Sequence, residues 1–416
     1  MPEITLDEFA KCLDKLENNM HKLTTEELDV AQFGKVLHNR PAKEFWYPTA
    51  FSHWGDEEYT AIQRVIDSKQ FTMGPEVAAF EREFAIYHGM KYGVMVNSGS
   101  SANLIIVATL AQLDLIGRDD VAIVPALAWS TTYAPLIQYG LQLRLADCDD
   151  TWNSTAYDMQ QISGDVVVGC SILGNPAELA EMENNCVQDD AIFIEDNCES
   201  LGATSYGGLC GTYGFMNSFS FFYSHQISAI EGGMILTNDE GCYQTCRMLR
   251  AHGWTRDDGQ PKEFETEYDF QSFGYNVRPT EIHAAVAREQ LKKLPVFNAN
   301  RRANLNYFKS YFANTGWNIV PQRVEHGHPA PFGLAFTVPR GTRPKLVQAL
   351  RARGIDCRLP TGGSFRLHQY GKNYKDQQTP NADAIHQCGL FLGNAPFLIQ
   401  DKIDEAIKVI DRKSVV

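Results

Sequence analysis

The chain has 416 residues, 44% hydrophobic and 21% charged, with 32 Gly and 18 Pro. That is an ordinary globular composition, long enough for one large domain and a smaller one, and it excludes collagen-like, disordered and low-complexity readings. Lys and Arg total 37 against 51 Asp and Glu, a formal charge of -14 that repels phosphate backbones and anionic membrane surfaces, so neither nucleic acid nor membrane is an expected partner.

In chain order, residues 1–45 read as a helical extension of two short amphipathic helices closed by the turn Asn39-Arg40-Pro41. No export or membrane signal is visible, and the ten cysteines lack framework spacing, which together predict a reduced, cytoplasmic protein. Residues 46–300 alternate short apolar runs with helical patterns: YGVMVN (92–97), VAIVPA (121–126), LRLADCD (143–149), DVVVGCS (165–171), AIFIEDN (191–197), NSFSFF (217–222) and MILTND (234–239). Seven strands separated by helices predict an α/β domain with a mostly parallel sheet covered on both faces. A helical stretch over 281–294 and an Arg-rich helix over 298–312 follow. The strand GLAFTVP, a helix over 343–352 and a last helix near 403–412 then make residues 301–416 a smaller α+β domain.

Ligands of such sheets sit at the carboxyl ends of the strands, so the polar residues after each apolar run matter most. Asn97-Ser98-Gly99-Ser100-Ser101-Ala102-Asn103 leaves one strand and opens a helix; it either holds a phosphate on free N–H groups and hydroxyls or is a tight connection with a Ser cap. Asp196 ends the run AIFIED, where a buried carboxylate needs a cation or strong donors; a protonated pyridine nitrogen is one such partner, and capping of the next element is the other reading. A third segment, from Ser218 through His225 to Glu231-Gly232-Gly233, ends one strand and restarts another at Met234.

This third segment resembles the DegT-type, fold-type-I sugar aminotransferases and dehydratases, which act on nucleotide-linked keto-sugars with pyridoxal phosphate. The resemblance runs from Trp46 onward and is carried by VPALAWSTTYAP (124–135), FYSH (222–225), IEGG (230–233), RAHGWTR (250–256), GYNVRP (274–279) and EQLKKLP (289–295). It implies an aspartate-aminotransferase-like fold. In that family a Lys six residues before Glu-Gly-Gly forms the Schiff base with the cofactor, whereas here the position is His225. An imidazole moves protons near neutral pH but forms no imine, so tethering is lost and acid–base chemistry kept. Within the family, His at this place implies the sugar 3-dehydratases. A second group of these uses an iron–sulfur cluster held in part by Cys-x-Cys, a pattern this chain lacks; Cys242 and Cys246 are assigned to a helix face, and no cluster or other metal is expected.

Position by position, the resemblance implies that Asp196 pairs with the pyridine nitrogen, Glu199 lies near the ring hydroxyl and Trp129 stacks on the ring. Ser100, Ser101 and Ser220 would hold the phosphate, with Asn276 reaching it from the other subunit of a homodimer. His252 and Arg256 would contact sugar or glutamate. The implied reaction is removal of the C3 hydroxyl from a nucleotide-linked 4-keto-6-deoxy sugar, GDP-4-keto-6-deoxy-D-mannose foremost, in deoxysugar and O-antigen biosynthesis. L-Glutamate would convert pyridoxal phosphate to pyridoxamine phosphate, and His225, as an imidazole poised near neutrality, would then serve as the base. An aminotransferase lacking the tethering Lys, or a non-catalytic sugar-nucleotide-binding homologue, are the other readings.

Overall fold

The structure is a computed structural model that describes residues 45–51, 53–255, 263–264, 268–312, 318–321 and 327–411. The chain divides into two compact units, Met1–Trp46 and Tyr47–Val416. The helical extension expected over residues 1–45 lies, apart from its last residue, outside the described residues.

All seven apolar runs form strands. β1 (Tyr92–Val96), β2 (Val121–Pro125), β3 (Gln142–Ala146), β4 (Val166–Cys170), β5 (Ile192–Asp196), β6 (Met216–Ser220) and β7 (Gly233–Thr237) make one sheet, in the order β1-β7-β6-β5-β4-β2-β3. Five neighbouring strands pair in parallel, from β3 through β6, while β7 runs antiparallel between β6 and β1. Every residue of β4 and of β6 is buried, as expected of strands covered on both faces. The register sets Cys170, Asp196 and Ser218 side by side at the carboxyl edge, and Val96 and Ser220 both opposite Gly233. That edge is where the site forms.

Two residues separate β1 from helix α1 (Gly99–Gln112). Ser98 is its cap, the side-chain oxygen accepting the Ser101 N–H at 3.1 Å, and its Leu104-to-Leu110 stretch is largely buried against the sheet. Helix α2 (Ser130–Gln138) begins after β2 with Trp129 in extended backbone at its entry. Helix α3 (Glu240–Arg250) carries both Cys242 and Cys246 on its buried face, as the spacing predicts.

The helical patterns over 281–294 and 298–312 are one helix, α4 (Glu281–Phe312), which runs through Pro295. Proline removes one helical N–H, but the buried stripe continues across it from Leu291 and Leu294 to Phe297, Arg301 and Leu305, so packing carries the helix over the break. The border expected at 300/301 therefore falls inside a helix. Beyond it, β8 (Asn318–Ile319), β9 (Gly333–Thr337), β10 (Cys357–Arg358) and β11 (Gly389–Gly393) form an antiparallel sheet in the order β8-β9-β11-β10. A separate apolar core joins it to the end of α4 through Phe308 and Phe336.

Candidate active site

A cavity of about 280 Å³ lies at the carboxyl edge of the large sheet. The β1–α1 turn contributes Ser98, Gly99 and Ser100, the β2–α2 turn Trp129 and Thr131, and the ends of β5 and β6 contribute Asp196, Glu199, Ser220 and His225. Arg358, Thr361 and Gly362 close it from the side of the antiparallel sheet.

Asp196 is held by donors alone. One carboxylate oxygen accepts from Asn103 Nδ2 at 2.8 Å and Thr132 Oγ1 at 2.7 Å; the other accepts from the Cys198 N–H at 3.2 Å and Ser218 Oγ at 3.3 Å. The side chain is 8% exposed and its free edge faces the cavity, which suits a cationic N–H partner.

The opposite end is a helix start. Gly99 and Ser100 present N–H groups that α1 cannot pair internally, and the Ser100 hydroxyl shares a 2.8 Å bond with Thr131. A Cβ at Gly99 would come within 2.6 Å of the Ser220 Cβ and 2.8 Å of Cys198 Sγ, so only glycine lets the helix start sit this close to the strand ends. Trp129, 55% exposed, lies over the Gly362 backbone.

His225 stands edge-on to Phe332, with ring centroids 5.3 Å apart, and its Nδ1 is enclosed without a partner. Burial pushes its pKa down to about 4; the Asp196 carboxylate opposes this and the Arg301 guanidinium adds to it. Burial thus favours the neutral, proton-accepting form of the ring, below the near-neutral poise that the resemblance implies. Glu199 moves the other way, pushed up to about 8 by burial, against the 2.8 Å bond its carboxyl accepts from the Leu173 N–H. One cavity thus holds a neutral imidazole and a protonated carboxyl.

The backbone around the cavity is strained. Leu173, Ile230 and Thr361 have φ of 50°, 69° and 39°, values unfavourable for any L-residue and most of all for the β-branched pair.

Three expected site residues lie elsewhere in the chain's own fold. Ser101 belongs to the cap, its hydroxyl donating to Asn97 Oδ1 at 2.6 Å rather than lining the cavity. His252 and Asn276 sit together on another surface, where the His252 N–H donates to the Tyr275 carbonyl at 2.7 Å and Asn276 bridges Ala251. Gly253 and Gly274 permit that contact, since a Cβ on Gly274 would lie 2.0 Å from the Gly253 nitrogen. Arg256 lies outside the described residues.

Residues 53–411 match the model of the DegT/DnrJ/EryC1/StrS aminotransferase family. The chain belongs to this family. Its relatives include the GDP-4-keto-6-deoxy-D-mannose 3-dehydratase of Escherichia coli O55:H7, 40% identical over 88% of this chain and 99% of that one. Among solved structures, GDP-4-keto-6-deoxymannose-3-dehydratase with bound GDP-perosamine superposes with a TM-score of 0.82 at 39% identity, covering 88% of this chain and all of that one. The same enzyme with a trapped PLP-glutamate geminal diamine gives 0.81 at 38% identity, with the same coverage. The fold is thus that of the fold-type-I pyridoxal phosphate enzymes.

The residues present fit that family's cofactor. Asp196 offers acceptors at one end of the cavity, unpaired helix N–H groups stand at the other, and the orphaned His225 Nδ1 marks a polar group enclosed at the same site. Several contributors escaped the sequence reading. Asn103 was within the quoted turn, but its role as a donor to Asp196 depends on a helical turn and a strand end meeting. Arg358, Thr361 and Gly362 come from more than 130 residues beyond His225 and carried no local signal.

Proposed function

We propose that this chain is a 3-dehydratase of a nucleotide-linked 4-keto-6-deoxy sugar, GDP-4-keto-6-deoxy-D-mannose foremost, that uses pyridoxal phosphate charged by L-glutamate and works as a homodimer. The observation that carries the reading is His225, a neutral imidazole in the cavity of Asp196, where the family's aminotransferases have the tethering Lys.

Pyridoxamine phosphate held here would supply an electron sink for the loss of the sugar's C3 hydroxyl. Asp196 would accept from the cofactor's ring N–H, and Asn103 and Thr132 fix the carboxylate for that contact. The α1 start and the hydroxyls of Ser100 and Ser220 would take the phosphate, Trp129 would cover one ring face, and the protonated Glu199 would donate to the ring oxygen. His225 would accept the proton leaving the cofactor's C4′. An imidazolium so poorly solvated is a strong acid, which suits the same ring to protonate the departing C3 hydroxyl of the sugar. Phe222, Phe332 and Phe391 give the cavity an apolar wall beside His225.

Two observations support the dimer. His252 and Asn276 are outside the cavity of their own chain, and the neighbouring surface exposes Tyr268, Phe270 and Phe273, an apolar patch of the kind that marks an interface. A partner placed there would present its Asn276 to this cavity.

The test supplies the full-length protein with pyridoxal phosphate, glutamate and GDP-4-keto-6-deoxy-D-mannose, and follows the aldehyde absorbance, ammonia and the mass of the sugar. Loss of the C3 oxygen with release of ammonia is expected, and His225→Lys is expected to form a Schiff base and stop dehydrating. A stable amino sugar as product, or a Lys variant dehydrating at the parent rate, overturns the assignment.

A further inference from the structure

Arg301 is among the largest fully buried side chains, 1% exposed on the inner face of α4. Among the described residues no carboxylate pairs with it. Nη1 donates to the Gln226 carbonyl at 2.9 Å, Nη2 donates to the His225 carbonyl at 3.2 Å, and Nε is enclosed without a partner. Burying a guanidinium without a counter-charge is costly, and two neutral carbonyls return only part of that cost. A neutral amide would brace the same carbonyls more cheaply, so something beyond bracing is served by the charge.

We infer that Arg301 is a positioning residue for His225: its fork fixes the two consecutive carbonyls that set the imidazole in the cavity, and its unpaired positive charge, added to burial, works against a second cation on that ring. The surrounding elements support this geometry. The Arg301 carbonyl accepts from Asn394 Nδ2 at 3.0 Å, and Asn394 also donates to the Pro331 carbonyl at 2.8 Å, next to the Phe332 ring that faces His225. Gln226 is anchored in turn, its amide donating to the Glu199 carbonyl at 2.5 Å and to the Ala330 carbonyl at 2.8 Å. The arginine therefore ties α4 to both walls between which the imidazole stands.

Other titratable groups line the same cavity from other elements. Asp196 ends β5 and Glu199 follows it, with Cys198 between them; Glu231 lies in the turn before β7; Arg358 is on β10. Burial holds Cys198 and Glu199 toward their neutral forms, which leaves Asp196 as the main opposing charge. Burial pushes Arg301 itself down to about 9, so it remains a cation at neutral pH.

This inference rests on His225 being the base, and its test is separable from the test of that role. Histidine-ring NMR of the full-length, cofactor-bound protein, with His225→Asn to assign the signal, gives the titration midpoint of His225 directly, and the pH profile of kcat/KM is measured beside it. In Arg301→Gln the midpoint rises by roughly one unit and the acid limb of the profile moves with it. In Arg301→Lys the charge stays and the fork is lost, so the midpoint stays near the parent value while kcat falls roughly tenfold to a hundredfold. An unmoved midpoint in the Gln variant overturns the electrostatic role, and a Lys variant with parent kcat overturns the bracing role. Should the Gln variant fail to fold by circular dichroism, the Lys variant decides: an unshifted midpoint with reduced kcat supports the inference, and parent kcat or a shifted midpoint overturns it.

Discussion

His225 and Glu199 share a cavity, yet burial drives them in opposite directions, because desolvation disfavours the charged form of each. The imidazole loses its proton as pH rises through about 4, and the carboxyl keeps its proton until pH rises through about 8. Both are neutral only between these values. The pH profile of kcat/KM, which reports groups of the free enzyme, is therefore expected to fall on the acid side as the imidazole charges and on the alkaline side as the carboxyl ionises. Glu199→Gln keeps a donor and removes the titration, so the alkaline limb should disappear while the acid limb stays. An alkaline limb that survives in the Gln variant would assign it to another group.

Among the elements, the start of α1 has the least freedom. Gly99 brings it against Ser220 and Cys198, and a methyl group there must push the helix from the strand ends by overlapping a Cβ at 2.6 Å and a sulfur at 2.8 Å. Such overpacking costs typically about 1–3 kcal/mol. Gly99→Ala is expected to weaken cofactor binding by about tenfold, read from the absorbance of the bound aldehyde during titration, since the displaced N–H groups no longer converge on the phosphate. Parent affinity would show that this helix end does not hold the phosphate. The same element shows why much of the fold was legible. Each strand of the large sheet was announced by a short apolar-rich run, unbroken in β4 because a strand buried on both faces does not alternate, and the turn after β1 was announced by its small residues. What was not legible arose from meetings distant in sequence. Thr132 reaches Asp196 across two connections, Arg358 arrives from the other sheet, and Arg301 looks like any charge on an amphipathic helix until α4 is seen to bury it. Pro295 misled in the opposite direction, since local chemistry argues for a break that packing overrides.

At the scale of the whole molecule, the proposed dimer gives the motifs RAHGWTR and GYNVRP a place in a site completed by a second chain. Within one chain they build a small platform. Arg250 is a buried anchor, pairing with Glu81 at 2.6 Å and the Met95 carbonyl at 2.7 Å, while His252 and Asn276 are carried on the surface beside exposed aromatic residues. If Asn276 serves the cavity of the other subunit, damage to His225 and damage to Asn276 fall on different sites of a mixed dimer. Homodimers of His225→Ala and of Asn276→Ala should each be nearly inactive. A mixed dimer would hold one site with both defects and one with neither, so equimolar co-refolding should restore about a quarter of the parent activity by random pairing of a two-fold dimer. A mixture as inactive as its components would place Asn276 and His225 in the service of the same chain, and a monomer in light scattering would remove the shared site altogether.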